Sequence, residues 1–202
     1  MAVPTEDTSV TNDPRFKALN GGAGLQCSCG ERHAEMFPIH LLKPIGWTSS
    51  EKYEPNEALR MDGDFMSFEY CVREGKYFCL RMILPLPIRG APEQAMATTV
   101  WCAVNKPDFE AYLAAKQSGK LNDKARAPAR LVNNLAAFPL TVNIMGVAGQ
   151  NPQGLPLFLS ATDQQGFAND HQLLVEQRQG ITLDRLFEIY AAHGHDMRSS
   201  LS

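Results

Sequence analysis

Apolar and polar residues alternate with period two from Met66 onward. Met66, Phe68, Tyr70 and Val72 fall on one side, and Ser67, Glu69, Cys71 and Arg73 on the other. The alternation resumes after Arg73-Glu74-Gly75. Phe78, Leu80, Met82 and Leu84 then share one face, with Tyr77, Cys79, Arg81 and Ile83 opposite. Period two marks strands, and the break between them marks a hairpin. A two-residue loop at Glu74-Gly75 would set Phe68 against Arg81 and mix charge into the apolar face. A three-residue loop, Arg73-Glu74-Gly75, pairs Tyr70 with Phe78 and Phe68 with Leu80 and puts Gly75 in the left-handed region. Ser67 then opposes Arg81, with Glu69 on the diagonal, and a solvated ion pair there contributes ~0.2–1 kcal/mol. Leu84-Pro85-Leu86-Pro87 is expected to end the second strand, because proline has no N–H for a central ladder. Met96 to Val104 is a third strand, apolar on both faces, with Trp101 in the core.

Helical spacing takes over downstream. Asn105-Lys106-Pro107-Asp108 starts a helix, Phe109, Tyr112 and Leu113 line one face, and Ser118-Gly119 stops it. After a polar linker from Lys120 to Pro128, a second helix is expected over Ala129–Ala137, ended by Phe138-Pro139. Leu140 to Met145 alternates as a fourth strand, Gly146 to Pro156 reads as an exposed loop, and Leu157 to Ala161 as a fifth strand. Asp163 to Asp170 is loop, and His171 to Gln179 fits a buried strand or a helical turn. Thr182 caps a last helix carrying Leu183, Leu186, Phe187, Tyr190 and Ala191, with Gly194 as its left-handed cap. Before the hairpin, Met36 to Tyr53 reads as loop with short extended pieces. Glu51 to Asp64 is an acidic, solvated stretch in which Pro55 opens a short helix. The fold class is therefore α+β: a mainly antiparallel sheet of about five strands with three or so helices on it. Residues 1–24 form a flexible N-terminal segment, 25–194 a single domain and 195–202 a polar tail.

Composition narrows the partners. The 202 residues carry a net charge of −3, with 20% charged and 44% apolar residues. No basic footprint for nucleic acid is present, and no apolar run is long enough to span a bilayer. The polar start lacks a signal-peptide pattern, which places the protein in the cytoplasm. The odd count of five cysteines argues against a disulfide framework. Cys71, Cys79 and Cys102 lie inside strands and read as buried thiols.

Cys27-Ser28-Cys29-Gly30-Glu31-Arg32-His33 is different. It gathers two thiols and an imidazole within seven residues, the donor types zinc prefers, and Gly30 lets the backbone turn. Cys27, Cys29 and His33 are the candidate metal ligands, and zinc is the cofactor they imply. One residue separates the cysteines, where a zinc knuckle has two. The fourth ligand is sought first at His40 and His171. His193 and His195 are assigned to the negative end of the last helix. Arg81 and His171 are candidate ligand-binding residues, His171 beside Glu176 and Arg178. Asp62 and Asp64 lack the remaining calcium ligands. No phosphate-binding glycine loop, nucleophile elbow or paired His-Glu metalloprotease motif occurs.

Taken together, the segments resemble a bacterial family known as a domain of unknown function, number twenty-one ninety-nine. The resemblance spans about Leu25 to Ala192. It rests on Cys27, Cys29, Gly30 and His33, on Cys71 through Arg81 with Phe78, on Trp101 and Phe109, and on Glu176-Gln177-Arg178-Gln179-Gly180-Ile181-Thr182. It implies a single domain and names no activity, substrate or partner. The expected function is a non-catalytic binding or interaction domain for a protein or a small molecule, with a structural metal. The alternative is a small-molecule enzyme, such as a metal- or cysteine-dependent hydrolase, with its pocket near Cys29, His33, Arg81 or His171.

Overall fold

The computed structural model describes residues 10–47, 53–119, 126–151, 154–160 and 170–198. The chain begins with helix α1 (Pro14–Ala18) and strands β1 (Asn20–Gln26), β2 (Arg32–Glu35) and β3 (Ile39–His40). Strands β4 (Phe65–Met66), β5 (Tyr70–Arg73), β6 (Tyr77–Ile88) and β7 (Ala91–Val104) follow, then helix α2 (Lys106–Ser118). Strands β8 (Ala127–Leu131), β9 (Met145–Gln150) and β10 (Pro156–Leu159) precede helices α3 (Gln172–Gln179) and α4 (Leu183–Ala192).

The chain is α+β, but its sheet is larger than the expected one. Eight strands form one mixed sheet in the order β3-β7-β8-β9-β10-β6-β5-β4. β6 and β7 pair antiparallel from Phe78 opposite Val104 to Ile88 opposite Ala91. β8 and β9 continue antiparallel, and β10 returns parallel to β6 with Leu157 opposite Ile83. β6 to β10 thus close into a five-stranded barrel. Closure leaves these strands no open edge. β1 and β2 form a separate two-stranded sheet.

The hairpin keeps its expected faces with a shifted register. Glu74 (φ 55°) and Gly75 (φ 63°) are both left-handed, so the turn starts one residue later than expected. Val72 faces Phe78 and Tyr70 faces Leu80. The shift of two residues leaves every side chain on its own side. Asp64 Oδ1 accepts the Glu74 N–H at 2.6 Å and holds this conformation. Phe68 departs further and does not pair with Leu80. The Ser67 hydroxyl accepts the N–H groups of Glu69 and Tyr70 at 3.3 and 3.0 Å. Such a local bond competes with the ladder, so Phe68 sits at a turn tip, 59% exposed, while Leu80 is buried.

β6 also runs through the prolines expected to end it. Arg81 donates its N–H to Glu69 O, so odd-numbered residues aim their backbone groups away from β7. Pro85 and Pro87 share that parity and need no donor there. Pro87 O instead accepts the Ile181 N–H at 2.8 Å. The two faces of β6 and β7 serve different cores. Phe78, Leu80, Met82, Leu84, Val100 and Cys102 belong to the main core, with Leu131, Phe158 and the stripe of α4. Met66, Cys71, Cys79 and Trp101 form a second, smaller cluster. All five cysteines are free, and Cys71, Cys79 and Cys102 are buried.

The helix expected over Ala129–Ala137 is β8 followed by an irregular stretch. Polar side chains there satisfy the backbone in place of helical bonds. Thr141 Oγ1 donates to Asn133 O and accepts from Leu135 N, and Asn133 Oδ1 accepts from Trp101 N. The strand expected at Leu140 to Met145 begins at Met145, and the expected loop from Gly146 is β9. The glycine there serves packing: a Cβ on Gly146 would lie 2.5 Å from Leu159 O and 2.6 Å from Phe158 Cζ.

The helix ends match their capping residues. Asn105 Oδ1 accepts from Asp108 N, and Gly119 closes α2 in the left-handed region. Thr182 caps α4 through Arg185 N. Residues 171–179 resolve as helix, with His171 as the α3 cap. Near Pro55 the short helix is a 3-10 turn, Asn56–Ala58.

Within the segment expected to be flexible, residues 10–24 form a 3-10 turn, α1 and the first part of β1. Phe16 and Leu19 join the main core. Asp13 caps α1, and Arg15 of α1 bonds Asp184 of α4 at 2.5 Å. The glycines of β1 permit close contact, since a Cβ on Gly22 would meet Lys17 O at 2.3 Å. In the tail, Met197 is fully buried. Residues 1–9, Glu51, 120–125 of the linker, Ala161, 163–169 and 199–202 lie outside the described residues.

Gly146→Ala is expected to destabilise the protein by about 1–3 kcal/mol, because the added methyl has no space and its neighbours are backbone and an aromatic ring. Equilibrium denaturation measures this as a lowered midpoint.

Candidate functional site

Cys27 to Glu31 form a tight turn. Gly30 N–H donates to Cys27 O at 3.0 Å, Cys27 N–H to Glu31 O at 2.8 Å, and Gly30 takes φ 94°. The turn leaves Cys27 buried and Cys29 exposed. Cys29 N–H points at Cys27 Sγ from 3.5 Å, a donor that favours a thiolate. Burial, with Cys29 beside it, pushes the Cys27 thiol pKa up.

His33 follows on β2 and comes back over the turn, its Nε2 3.4 Å from Cys29 Sγ. Its ring stacks on Phe37 at 4.1 Å, and Phe37 stacks on Tyr190 at 4.3 Å. Tyr190 fixes that stack: its hydroxyl donates to Phe37 O at 2.9 Å and accepts from Phe37 N at 3.0 Å. Burial raises its pKa to about 12.

The fourth donor comes from the other end of the chain. Beyond α4, Gly194 is left-handed (φ 88°), its N–H bonds Ala191 O and the His195 N–H bonds Tyr190 O. This paired closure is the Schellman motif, and it turns His195 toward the cysteines. Ser28 N–H bonds Asp196 O at 2.8 Å, and the Asp196 N–H returns to Ser28 Oγ at 2.9 Å. His195 Nδ1 lies 3.7 Å from Cys27 Sγ. One donor atom from each of Cys27, Cys29, His33 and His195 lies within 4.8 Å of all the others. A tetrahedral zinc ion requires a sulfur-to-nitrogen edge of about 3.5 Å.

His195, and not His40 or His171, is the histidine that lies beside Cys27, Cys29 and His33; its backbone closes α4 while its ring faces Cys27. His40 Nδ1 is 3.0 Å from Thr99 Oγ1. His171 Nδ1 accepts the Leu173 N–H at the start of α3. Glu176 pairs with Arg185 at 3.0 Å, and Arg178 lies 3.8 Å from Asp170. His171 is not among the residues that line the cleft at Arg81. The sequence signal for His195 is a histidine placed directly after a helix-capping glycine.

Arg81 lies in a second place, a cleft of about 280 Å³ lined also by His40, Phe68, Thr99, Lys116 and Leu155. Its expected ion pair with Glu69 is absent, because Glu69 pairs with Lys116 of α2. Arg81 is 8% exposed. It donates to Thr99 Oγ1 at 3.1 Å and lies 4.2 Å from the Phe68 ring centroid. Burial lowers its pKa.

Residues 26–181 match the model of the family described as an uncharacterized protein conserved in bacteria, DUF2199. The chain belongs to that family. Cys27, Cys29 and His33 fall inside the matched span, and His195 falls beyond it. Comparison with curated proteins and with solved structures finds no match. Among the described residues, no helix is long and apolar enough to cross a membrane.

Tyr190→Phe removes both partners of Phe37's backbone groups. It is expected to cost about 1–3 kcal/mol in chemical denaturation, the range for leaving buried polar groups unpaired.

Proposed function

We propose that this chain is a non-catalytic binding domain in which Cys27, Cys29, His33 and His195 hold one structural zinc ion. The observation that carries it is the convergence of two thiols and two imidazoles from opposite ends of the chain, with sulfur-to-nitrogen distances of 3.4 and 3.7 Å. Four protein ligands complete a tetrahedron and leave no position for water or substrate, so the ion serves as a staple. It ties the β1–β2 sheet to the segment beyond α4. The partner is then a protein or a small molecule, and the open cleft at Arg81 is where a small molecule fits.

A hydrolase is the second reading, favoured by one observation: His40 Nδ1 lies 3.0 Å from Thr99 Oγ1 in that cleft. Against it, the same hydroxyl already accepts from Arg81. No carboxylate hydrogen-bonded to His40 is found among the described residues. Cys29 and His33 do not line the cleft.

Purified protein is expected to contain about one zinc per chain by elemental analysis. Cobalt(II) in its place gives the intense visible bands of a tetrahedral thiolate site. Cys27→Ser and His195→Ala lose the metal, and chelation lowers the melting temperature by several degrees, roughly. Protein that carries no zinc and develops no cobalt spectrum at equimolar metal would falsify the assignment.

A further inference from the structure

As a residue Arg81 is 8% exposed, yet no carboxylate lies within ion-pair distance of its guanidinium among the described residues. Its neighbours are the Thr99 hydroxyl, the Phe68 carbonyl at 3.5 Å and the face of the Phe68 ring. Its Nε has no hydrogen-bond partner. A buried cation without a counter-charge is costly. Hydroxyl, carbonyl and aromatic face offset part of that cost and leave the planar fork unsatisfied.

The rest of the cleft says what completes it. Leu80, Met82 and Pro156 are apolar walls, and Phe68 and Leu155 stand exposed at 59% and 49%. The volume of about 280 Å³ is just below the ordinary range for ligand pockets, ~300–1,000 Å³, and suits a small molecule. Lys116 contributes no free charge, since Glu69 neutralises it. One unpaired planar cation inside an apolar cleft matches a singly charged carboxylate on an apolar body, which a guanidinium grips by two parallel bonds. A phosphate dianion carries a second negative charge, and with Lys116 paired to Glu69 the lining holds no second unpaired cation to meet it.

We propose that the Arg81 cleft binds a small organic acid, with its carboxylate on Arg81 and its aryl or branched-alkyl body between Phe68, Leu155 and Pro156. This deepens the binding reading above and shares no residue with the zinc ligands.

The test uses the full chain with phenylacetate, 4-methylpentanoate, the neutral isostere phenylacetamide and inorganic phosphate, followed by NMR titration or calorimetry. Both acids are expected to bind saturably and to shift resonances of Phe68, Thr99 and Leu155. Phenylacetamide and phosphate bind at least roughly tenfold more weakly. Arg81→Met loses acid binding. Leu155→Trp, at an exposed position, blocks the cleft without touching the core and keeps the inference testable if the arginine variant fails to fold. Neither acid binding, equal binding of acid and amide, phosphate binding as well as the acids, or undiminished binding to Leu155→Trp would each overturn the proposal. Zinc content read on the same samples separates the two ideas. Zinc-loaded protein that ignores both acids removes only the carboxylate site, and zinc-free protein that binds them removes only the metal.

Discussion

The pairing of β6 with β7 is the constraint on which the other elements depend. It is the longest ladder in the molecule, and each of its faces is buried in a different cluster. The even-numbered residues of β6 fill the barrel and meet the helices, while Cys79 and Trp101 on the other face pack with Met66 and Cys71. A strand apolar on both sides has one workable place, the middle of a sheet covered twice. Every neighbour is then assigned by edge. β5 and β10 share the outer edge of β6, β8 and β3 flank β7, and the barrel closes because β10 reaches β6 from the far side.

Local pattern is legible in the sequence wherever side-chain period and burial coincide. The alternation from Tyr70 to Leu84, the cap at Asn105, the stripe after Thr182 and the glycine at 194 all sit where periodicity and capping rules put them. Closure is not legible, because it depends on stretches whose composition argues against strands. Gly146 and Gly149 look like loop residues and in fact let β9 approach β10 closely. Pro85 and Pro87 look like terminators and merely occupy the donor-free parity of β6. The register at Glu74 was hidden for another reason, since a non-glycine residue adopts the left-handed region only because Asp64 bonds its N–H.

The site divides the same way. Cys27, Cys29 and His33 are near neighbours in the chain, so their common chemistry is visible at once. His195 is 168 residues from Cys27, and only the fold brings it within reach. Two local motifs do this, the turn at Gly30 and the cap at Gly194, each readable alone and neither pointing to the other. From the sequence Arg81 reads both as one half of a solvated ion pair and as a candidate ligand-binding residue. Its burial follows from Ser67, which turns the chain so that Phe68 folds over the guanidinium. Glu69, on the next residue, is drawn away to Lys116.

These placements determine where the proposed zinc ion would act on stability. The bond from Asp196 N–H to Ser28 Oγ is exposed, as is Cys29. Among the described residues their apolar support comes from Cys27, Leu25 and Met197, which join the main core, and from the stack of Phe37 and Tyr190 behind His33. The barrel core, by contrast, contains no residue from the cysteine turn beyond Cys27. A clasp between two chain ends, closed by a loop of this length, gains most from a crosslink, because loop entropy rises with chain length. Removal of the proposed zinc should therefore loosen the clasp and the small β1–β2 sheet while β6 to β10 stay closed. Local opening is governed by local contacts, and the exposed Cys29 and Ser28–Asp196 bond at the clasp contrast with the buried faces of β6 and β7.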